Sequence, residues 1–547
     1  MAMKKVARKT VKKAAPKKTS VKASSNGAFK LTYATMFDPP EELHTKFEKA
    51  LARVKAGLGQ EHAMLINGKD RLAEAKFEDR SPINTDWLLG TFQKGSAQDA
   101  QEALAAARAA SPKWAGMKWQ GRVKLLRKAA ALIEKRVYDI GAVMALEVGK
   151  NRMEALGDVQ ETADLIAYYC DQMESNNGYV KPMGVDPLKG YQSRNVSILK
   201  PYGVWVVISP FNFPFALAGG PSGAALVAGN TVVFKPASDT PYTGRLLAEA
   251  YRDAGLPDGV FNFVTGGGAT VGETLINSPE VDGVTFTGSY DIGMHIYKSF
   301  ASGRWPRPCI AEMGGKNPAI VSRNADVDRA AIGVMRSAFG LQGQKCSACS
   351  RIYVEKPVAE KFKTKLLDLT NKIAIGDPTV RTNWLGPVIN ASSYRQYSEF
   401  SEELSQGGAL LTGGKQLTSG DLGKGYFCAP TLAEIPRDHR LWKYEMFLPI
   451  TTIAEVESLD EAMRLANTVD YGLTAGFYGS QKELQWFFDG IQAGVTFANR
   501  PQGATTGAWP GFQPFGGWKG SGSTGKAGGS LYYVPQYMHE QSQTVIE

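Results

Sequence analysis

The chain reads as an α/β protein: a doubly wound domain on a parallel sheet, a second α/β domain and a small bridging β element. Three observations lead there. Short β-branched runs at 204–209, 231–235, 261–264 and 284–287 alternate with helical segments at 216–227, 242–254 and 268–277, and that spacing implies parallel strands joined by crossover helices. Pro, Gly, Asn, Ser and Lys follow the runs, at the carboxyl ends where such sheets hold ligands. The length, 547 residues, exceeds one ordinary domain and leaves interior for a deep channel.

In chain order, residues 1–22 hold nine Lys and Arg and no acid, against a formal net charge of +10, so the body is nearly neutral. With no aromatic, Leu or Ile to bury, residues 1–27 are expected to be a disordered basic tail. Such a tail is solvated, or touches nucleic acid through counterion release, or acts as a targeting segment, although Lys outnumbers Arg. Residues 28–85 read as an N-terminal arm with a polar helix at 40–57. The first domain takes 86–177 and 200–312. Its stretch 99–148 is strongly helical, and Trp114, Trp119 and Leu125 are expected to pack helices.

The polar, Gly/Pro-punctuated segment 178–199 reads as a hairpin whose strand, 192–199, presents an edge to another subunit. The second domain spans 313–517. Residues 518–547 complete the bridging element, where Tyr532, Tyr533, Val534 and Val545 give strand-forming character. No apolar run approaches the ~20 residues of a membrane span, so no membrane contact is expected. Five cysteines in the chain are too few for a disulfide scaffold and favour a reducing compartment, the cytoplasm or, in a eukaryote, the mitochondrial matrix. No Cys/His cluster has metal-ligand spacing, and no metal is expected.

The chemistry is expected at Gln342-Gly343-Gln344-Lys345-Cys346-Ser347-Ala348-Cys349. A thiol among small residues can be approached closely, and Lys345 and nearby backbone N–H groups would favour its thiolate. Cys346 could equally be a small buried hydrophobe. A redox pair with Cys349 lacks the Trp-Cys-Gly-Pro setting. Glu312 is a surface carboxylate or, with a nucleophile at hand, a general base. Asn212 can supply an amide donor to an oxyanion. Ser209, Pro210 and Phe211 follow the first run, and Lys235 and Ser238 the second. Gly288-Ser289-x-x-x-Gly293 opens a predicted helix whose N–H groups suit a pyrophosphate. A buried Lys235 ammonium needs a hydroxyl or phosphate partner. These are the residue types expected around a nucleotide.

The motifs occur together and in order, and from about residue 90 the chain resembles the aldehyde dehydrogenases. The resemblance rests on Ser-Pro-Phe-Asn-Phe-Pro (209–214), Gly-Asn-Thr-Val-Val-Phe-Lys-Pro-Ala (229–237), Phe-Thr-Gly-Ser (286–289), Glu-Met-Gly-Gly-Lys-Asn (312–317), Gly-Gln-Lys-Cys (343–346), Glu-Met-Phe (445–447) and Pro-Phe-Gly-Gly (514–517). Gln-Lys-Cys-Ser-Ala, the Thr506-Gly507-Ala508 step and Lys526-Ala527-Gly528-Gly529 are similar to the 1-pyrroline-5-carboxylate (L-glutamate 5-semialdehyde) dehydrogenases of proline degradation.

The resemblance implies that Cys346 attacks an aldehyde and that Asn212 and the Cys346 N–H hold the oxyanion. Hydride then passes to NAD, and Glu312 activates the water that hydrolyses the thioester. It also implies Glu445 and Phe447 beside the cofactor, a substrate α-carboxylate at Ser347, Gly507 and Ala508, and a homodimer or dimer-based oligomer. NADP stays open, because Ser238 stands where many NAD-preferring relatives carry Glu.

Two further departures carry expectations. Leu448 replaces a family glycine and is strained if its φ is positive. Residues 501–505 enlarge the substrate loop. Other readings remain. The substrate could be another semialdehyde or an aliphatic or aromatic aldehyde. A CoA-acylating enzyme is disfavoured by Glu312, since thioester transfer needs no water-activating carboxylate. A cysteine hydrolase is weakened because His44, His62, His295, His439 and His539 lie in none of the motifs. A nucleic-acid binder would act through the tail.

Overall fold

Two seven-stranded sheets organise the chain. The computed structural model describes residues 29–547; the basic tail and its expected disorder lie outside them. In the first sheet the order is Cys309–Glu312, Gly283–Thr287, Val204–Ile208, Thr231–Lys235, Phe261–Phe263, Met64–Ile66, Lys69–Arg71. Its first five strands are parallel. Val206 pairs with Val233 and Val284, all fully buried, the near-continuous apolar pattern of a sheet covered on both faces. From Val204–Ile208 the chain adds two strands on one side and then returns to the other. The crevice between these directions opens beyond Ile208 and Thr287, with Lys235 on the neighbouring strand end. The segment read as an arm contributes the antiparallel hairpin Met64–Ile66 and Lys69–Arg71 at the sheet's far edge.

The second sheet runs Ala409–Thr412, Thr431–Glu434, Ile450–Val456, Cys349–Glu355, Asn317–Val321, Thr474–Tyr478, Val495–Ala498, parallel except at its first pair. Each sheet has its own buried apolar clusters.

The helical region resolves into Ala97–Gly116, Trp119–Lys135, Val137–Val148 and Arg152–Ser175. Ser96 and Asp99 close a capping box on the first, Gly149 (φ 78°) ends the third, and Asn151 accepts from Glu154 N–H to start the fourth. Trp114 is buried and its Nε1 donates to the Leu226 carbonyl at 3.1 Å, as its packing role predicts. The helix expected at 268–277 instead begins with a wider π-type turn, Gly268–Gly272, before Glu273–Asn277. Two adjoining glycines, Gly267 and Gly268, leave the tighter start without support.

The bridging sheet pairs Ser193–Pro201 with Val180–Pro182 on one side and Met538–Ile546 on the other. The strand character expected at Tyr532 to Val534 is not realised. Residues Val534–Tyr537 form a short 3-10 turn, and the Tyr537 hydroxyl donates to the Tyr533 hydroxyl at 3.0 Å inside the core. Pro535 has no N–H for a ladder, and burial of Tyr533 and Val534 turns the chain inward. Among the described residues no helix is long and apolar enough to cross a membrane.

Candidate active site

Cys346 lies in the turn between helix Val327–Phe339 and strand Cys349–Glu355. The chain approaches it through three left-handed residues, Leu341 (φ 49°), Gln342 (φ 55°) and Gly343 (φ 67°). The two non-glycine residues cost about 1–3 kcal/mol each, and the turn is held from outside. Glu154, on helix Arg152–Ser175, accepts from Leu341 N–H at 3.1 Å and from Lys345 Nζ at 2.7 Å. Lys345 is therefore committed to Glu154, which corrects the expectation that it favours the thiolate. Burial pushes the Cys346 thiol up to about 12; Glu445 and Glu312 add to this, and the Ser347 and Cys346 N–H groups oppose it. Cys349 is buried at the start of its strand with a free thiol.

Two cavities meet at Cys346. The first is lined by Lys345, Ser347, Gly507 and Ala508, and also by Tyr33 and Arg336. The second is lined by Glu312, Thr287, Met313 and Tyr533. Glu312 ends strand Cys309–Glu312, and its Oε2 accepts Gly517 N–H at 3.2 Å. Burial pushes its carboxyl up to about 8, so it sits near the pH at which a base works best. The double glycine after it has a steric cause. A Cβ on Gly315 would strike the Cys346 carbonyl oxygen, and one on Gly314 the Glu445 carboxylate. Asn317 Nδ2 then fastens the Cys346 turn, donating to the Cys346 and Ala348 carbonyls at 2.7 and 2.9 Å.

Asn212 is 3% exposed in the loop between strand Val204–Ile208 and helix Ala216–Ala228. Ser209, Pro210 and Phe211 precede it in that loop. Ser209 Oγ is buried with no hydrogen-bond partner among the described residues. Lys235 ends its strand 5% exposed, among the described residues donates only to the neighbouring Pro236 carbonyl at 3.1 Å, and is pushed down to about 8 by burial. Ser238 lies exposed just beyond. Ser289 begins helix Tyr290–Ala301 without a side-chain cap, and Gly293 N–H bonds back to its carbonyl at 3.0 Å. Glu445 Oε1 accepts Gly315 N–H at 2.8 Å, and burial pushes its carboxyl up to about 7. Ser289 and Lys235 thus stand at strand carboxyl ends with donors to offer, Gly288 N–H is held by the Glu312 carbonyl at 3.1 Å, and the orphaned Ser209 hydroxyl lies beside Lys235. This donor set fits a dinucleotide.

The strain expected at Leu448 is one residue earlier. Phe447 carries φ 56°, with its ring edge-on to Phe211 at 5.8 Å. Leu448 is instead a buried core residue, so the glycine's loss is met by packing.

In the substrate loop Gly507 has φ 107°, and a Cβ there would meet the Arg500 guanidinium at 2.6 Å. Arg500 donates to the Thr506 and Gly507 carbonyls at 2.8 and 3.0 Å. The enlarged part packs inward: Ala504 is 1% exposed, Thr505 Oγ1 donates to the Ser347 carbonyl at 2.6 Å, and Gln502 lines the first cavity.

Sequence reading missed Glu154, Glu161, Tyr33 and Arg336. Glu161 lines both cavities. The signal was a stripe of acids, Glu154, Asp158 and Glu161, at helical spacing on one face of the helix. Arg336 donates to the Pro501 carbonyl at 3.0 Å and rests its guanidinium 3.6 Å from the Phe37 ring centre.

The model of the aldehyde dehydrogenase family matches residues 70–543. A 1-pyrroline-5-carboxylate dehydrogenase of Geobacillus sp. (strain WCH70) is 37% identical over 507 residues, 92% of this chain and 96% of the relative. Among solved structures, 1-pyrroline-5-carboxylate dehydrogenase from Thermus with bound NAD has a TM-score of 0.89 at 33% identity, covering 95% of this chain and 99% of that one. An NADP dependent enzyme of E. coli has a TM-score of 0.82 at 30% identity, covering 89% and 98%.

Proposed function

Since the chain belongs to the aldehyde dehydrogenase family, we propose that it oxidises L-glutamate 5-semialdehyde, the open form of 1-pyrroline-5-carboxylate, to L-glutamate with NAD or NADP. The observation that carries this is Cys346 at the junction of two cavities. One holds donors and charges for a distal amino-acid head, and the other holds a carboxylate able to activate water. The α-carboxylate is read at Ser347, Gly507 and Ala508, where a Gly and an Ala let backbone N–H groups approach it. The α-ammonium is read at the Glu161 carboxylate.

In this reading Cys346 Sγ adds to the aldehyde carbon, and the thiol proton leaves by way of Glu312. The Asn212 amide and the Cys346 N–H hold the resulting oxyanion. Bound nicotinamide supplies the acceptor for the hydride that the substrate carbon gives up. Glu312 takes a proton from water as it adds to the thioester carbon, and the Cys346 sulfur leaves. Ser209, Pro210, Phe211, Lys235, Ser238, Gly288, Ser289, Gly293, Glu445 and Phe447 would hold the cofactor, and the exposed Ser238 leaves a 2′-phosphate unopposed.

Residues 86–177 and 200–312 are read as the cofactor domain, 313–517 as the catalytic domain, and 178–199 with 518–547 as the element that pairs subunits. The bacterial relatives support a cytoplasmic location.

The test is steady-state formation of NADH and NADPH with L-glutamate semialdehyde, succinate semialdehyde and simple aliphatic aldehydes, alongside Cys346→Ala. A dominant kcat/KM for glutamate semialdehyde and an inactive variant are expected. Comparable rates across the panel would mean that residues 501–505 have rebuilt the pocket for other aldehydes. Turnover in the variant would overturn the mechanism.

A further inference from the structure

Residues 31–37 lie just before the first helix, Glu41–Ala56, and Tyr33, Met36 and Phe37 wall the first cavity. Tyr33 stands edge-on to Trp509 at 5.2 Å and to Phe213 at 6.3 Å, and its hydroxyl donates to Glu161 Oε2 at 2.8 Å. Among the described residues this is the hydrogen bond that the Glu161 side chain receives; no Lys or Arg pairs with it. We propose that Tyr33 is a positioning residue for substrate selection: its hydroxyl aims the Glu161 carboxylate into the cavity and leaves its charge free for the substrate's α-ammonium group. The inference rests on the glutamate-semialdehyde reading above.

The chemistry favours a phenol in this place. An ionised carboxylate offers about four lone-pair sites, and the phenol takes one. A neutral donor fixes orientation without neutralising the charge, whereas a Lys or Arg would compete with the substrate's cation. The groups facing Glu161 make the hydroxyl matter. Burial pushes the Glu161 carboxyl up to about 8; Asp158 and Asp164 add to this, while the Tyr33 hydrogen bond and Lys150 oppose it. Lys150 is already paired with Asp158 at 2.8 Å. Glu154, which also faces Tyr33, is paired with Lys345. Removal of the hydroxyl therefore favours the protonated Glu161, and a neutral carboxyl no longer recognises an ammonium. In the wild type recognition therefore already strengthens as pH rises toward about 8, and without the hydroxyl a higher pH is needed to reach the same ionised fraction.

The experiment compares kcat/KM for L-glutamate semialdehyde and for glutarate semialdehyde, which lacks the amino group, in the wild type, Tyr33→Phe and Glu161→Gln, from neutral to alkaline pH. Ratios of variant to wild type at each pH cancel the ring closure of the amino substrate. Tyr33→Phe keeps the ring that packs on Trp509. It is expected to lower the preference for the amino substrate about tenfold at neutral pH, the worth of a hydrogen bond to a charged group. The loss should fall in KM and shrink toward alkaline pH, while Glu161→Gln loses the preference throughout. A preference and pH profile unchanged in Tyr33→Phe, or equal losses with both substrates, would reduce Tyr33 to packing and overturn the inference. A wild type without preference for the amino substrate would instead refute the substrate reading, and the inference with it.

Discussion

Cys346 is a half-buried residue whose thiol proton is held more tightly than in water, and Glu312 is a half-buried carboxyl raised to about 8. The two share a cavity, so the acid limb of turnover belongs to Glu312. A raised carboxyl is protonated, and useless as a base, below its pKa, so kcat should climb with pH and level off above about 8. A pH–kcat profile checks this; a limb well below neutrality would assign the base elsewhere. Glu312→Gln should lower kcat by about 10²–10⁴-fold and slow the burst of reduced cofactor as well, because the thiol proton and the hydrolytic water both depend on Glu312. Rapid-mixing absorbance reads the burst. Cys346 and Glu312 were legible as candidate nucleophile and base only through the motifs taken together and the family they resemble, since each alone also reads as an ordinary core or surface residue. Glu154 and Glu161 were not, because a helix full of acids reads as solvated until its burial is seen.

Among the secondary-structure elements, the site depends on how helix Arg152–Ser175 meets helix Ala216–Ala228. Asp158 Oδ1 accepts Ala216 N–H at 2.7 Å, and its Oδ2 pairs with Lys150, both side chains fully buried. Lys150→Met would strand that carboxylate, and a loss of about 3–5 kcal/mol in stability is expected, read as a lower denaturant midpoint. The substrate loop offers a second test. Gly507→Ala puts a Cβ at φ 107° against Arg500, so KM for the carboxylated semialdehydes should rise tenfold or more, on the order of the 1–3 kcal/mol stored in such strain, with a smaller effect on uncharged aldehydes. Kinetics over the same aldehyde panel decide it. Strand and helix positions in the first sheet were legible because buried parallel strands are apolar throughout. The π-type turn Gly268–Gly272 and the left-handed Phe447 were not: adjoining glycines loosen a helix start without specifying its pitch, and Phe447 leaves no residue pattern.

For the molecule as a whole, the bridging sheet bears on assembly. Strand Met538–Ile546 is exposed along nearly all its length, and Met183 and Tyr191 beside its partner are 57% and 64% exposed. An exposed sheet edge with apolar side chains beside it supports the proposal that another copy pairs here. Removal of residues 538–547 is expected to give a smaller species by sedimentation or light scattering, and an unchanged mass would place the subunit contact elsewhere.

Periodicity and glycine placement are local properties, so the α/β class, the run of parallel strands and the motif residues Cys346, Glu312, Asn212 and Lys235 could be read from the chain alone. Three features needed the folded molecule: Lys345 answers to Glu154, Leu448 is core, and residue 33 reaches the substrate cavity. Contacts such as Tyr33 with Glu161 span 128 positions, and no local pattern encodes which distant groups burial will bring together.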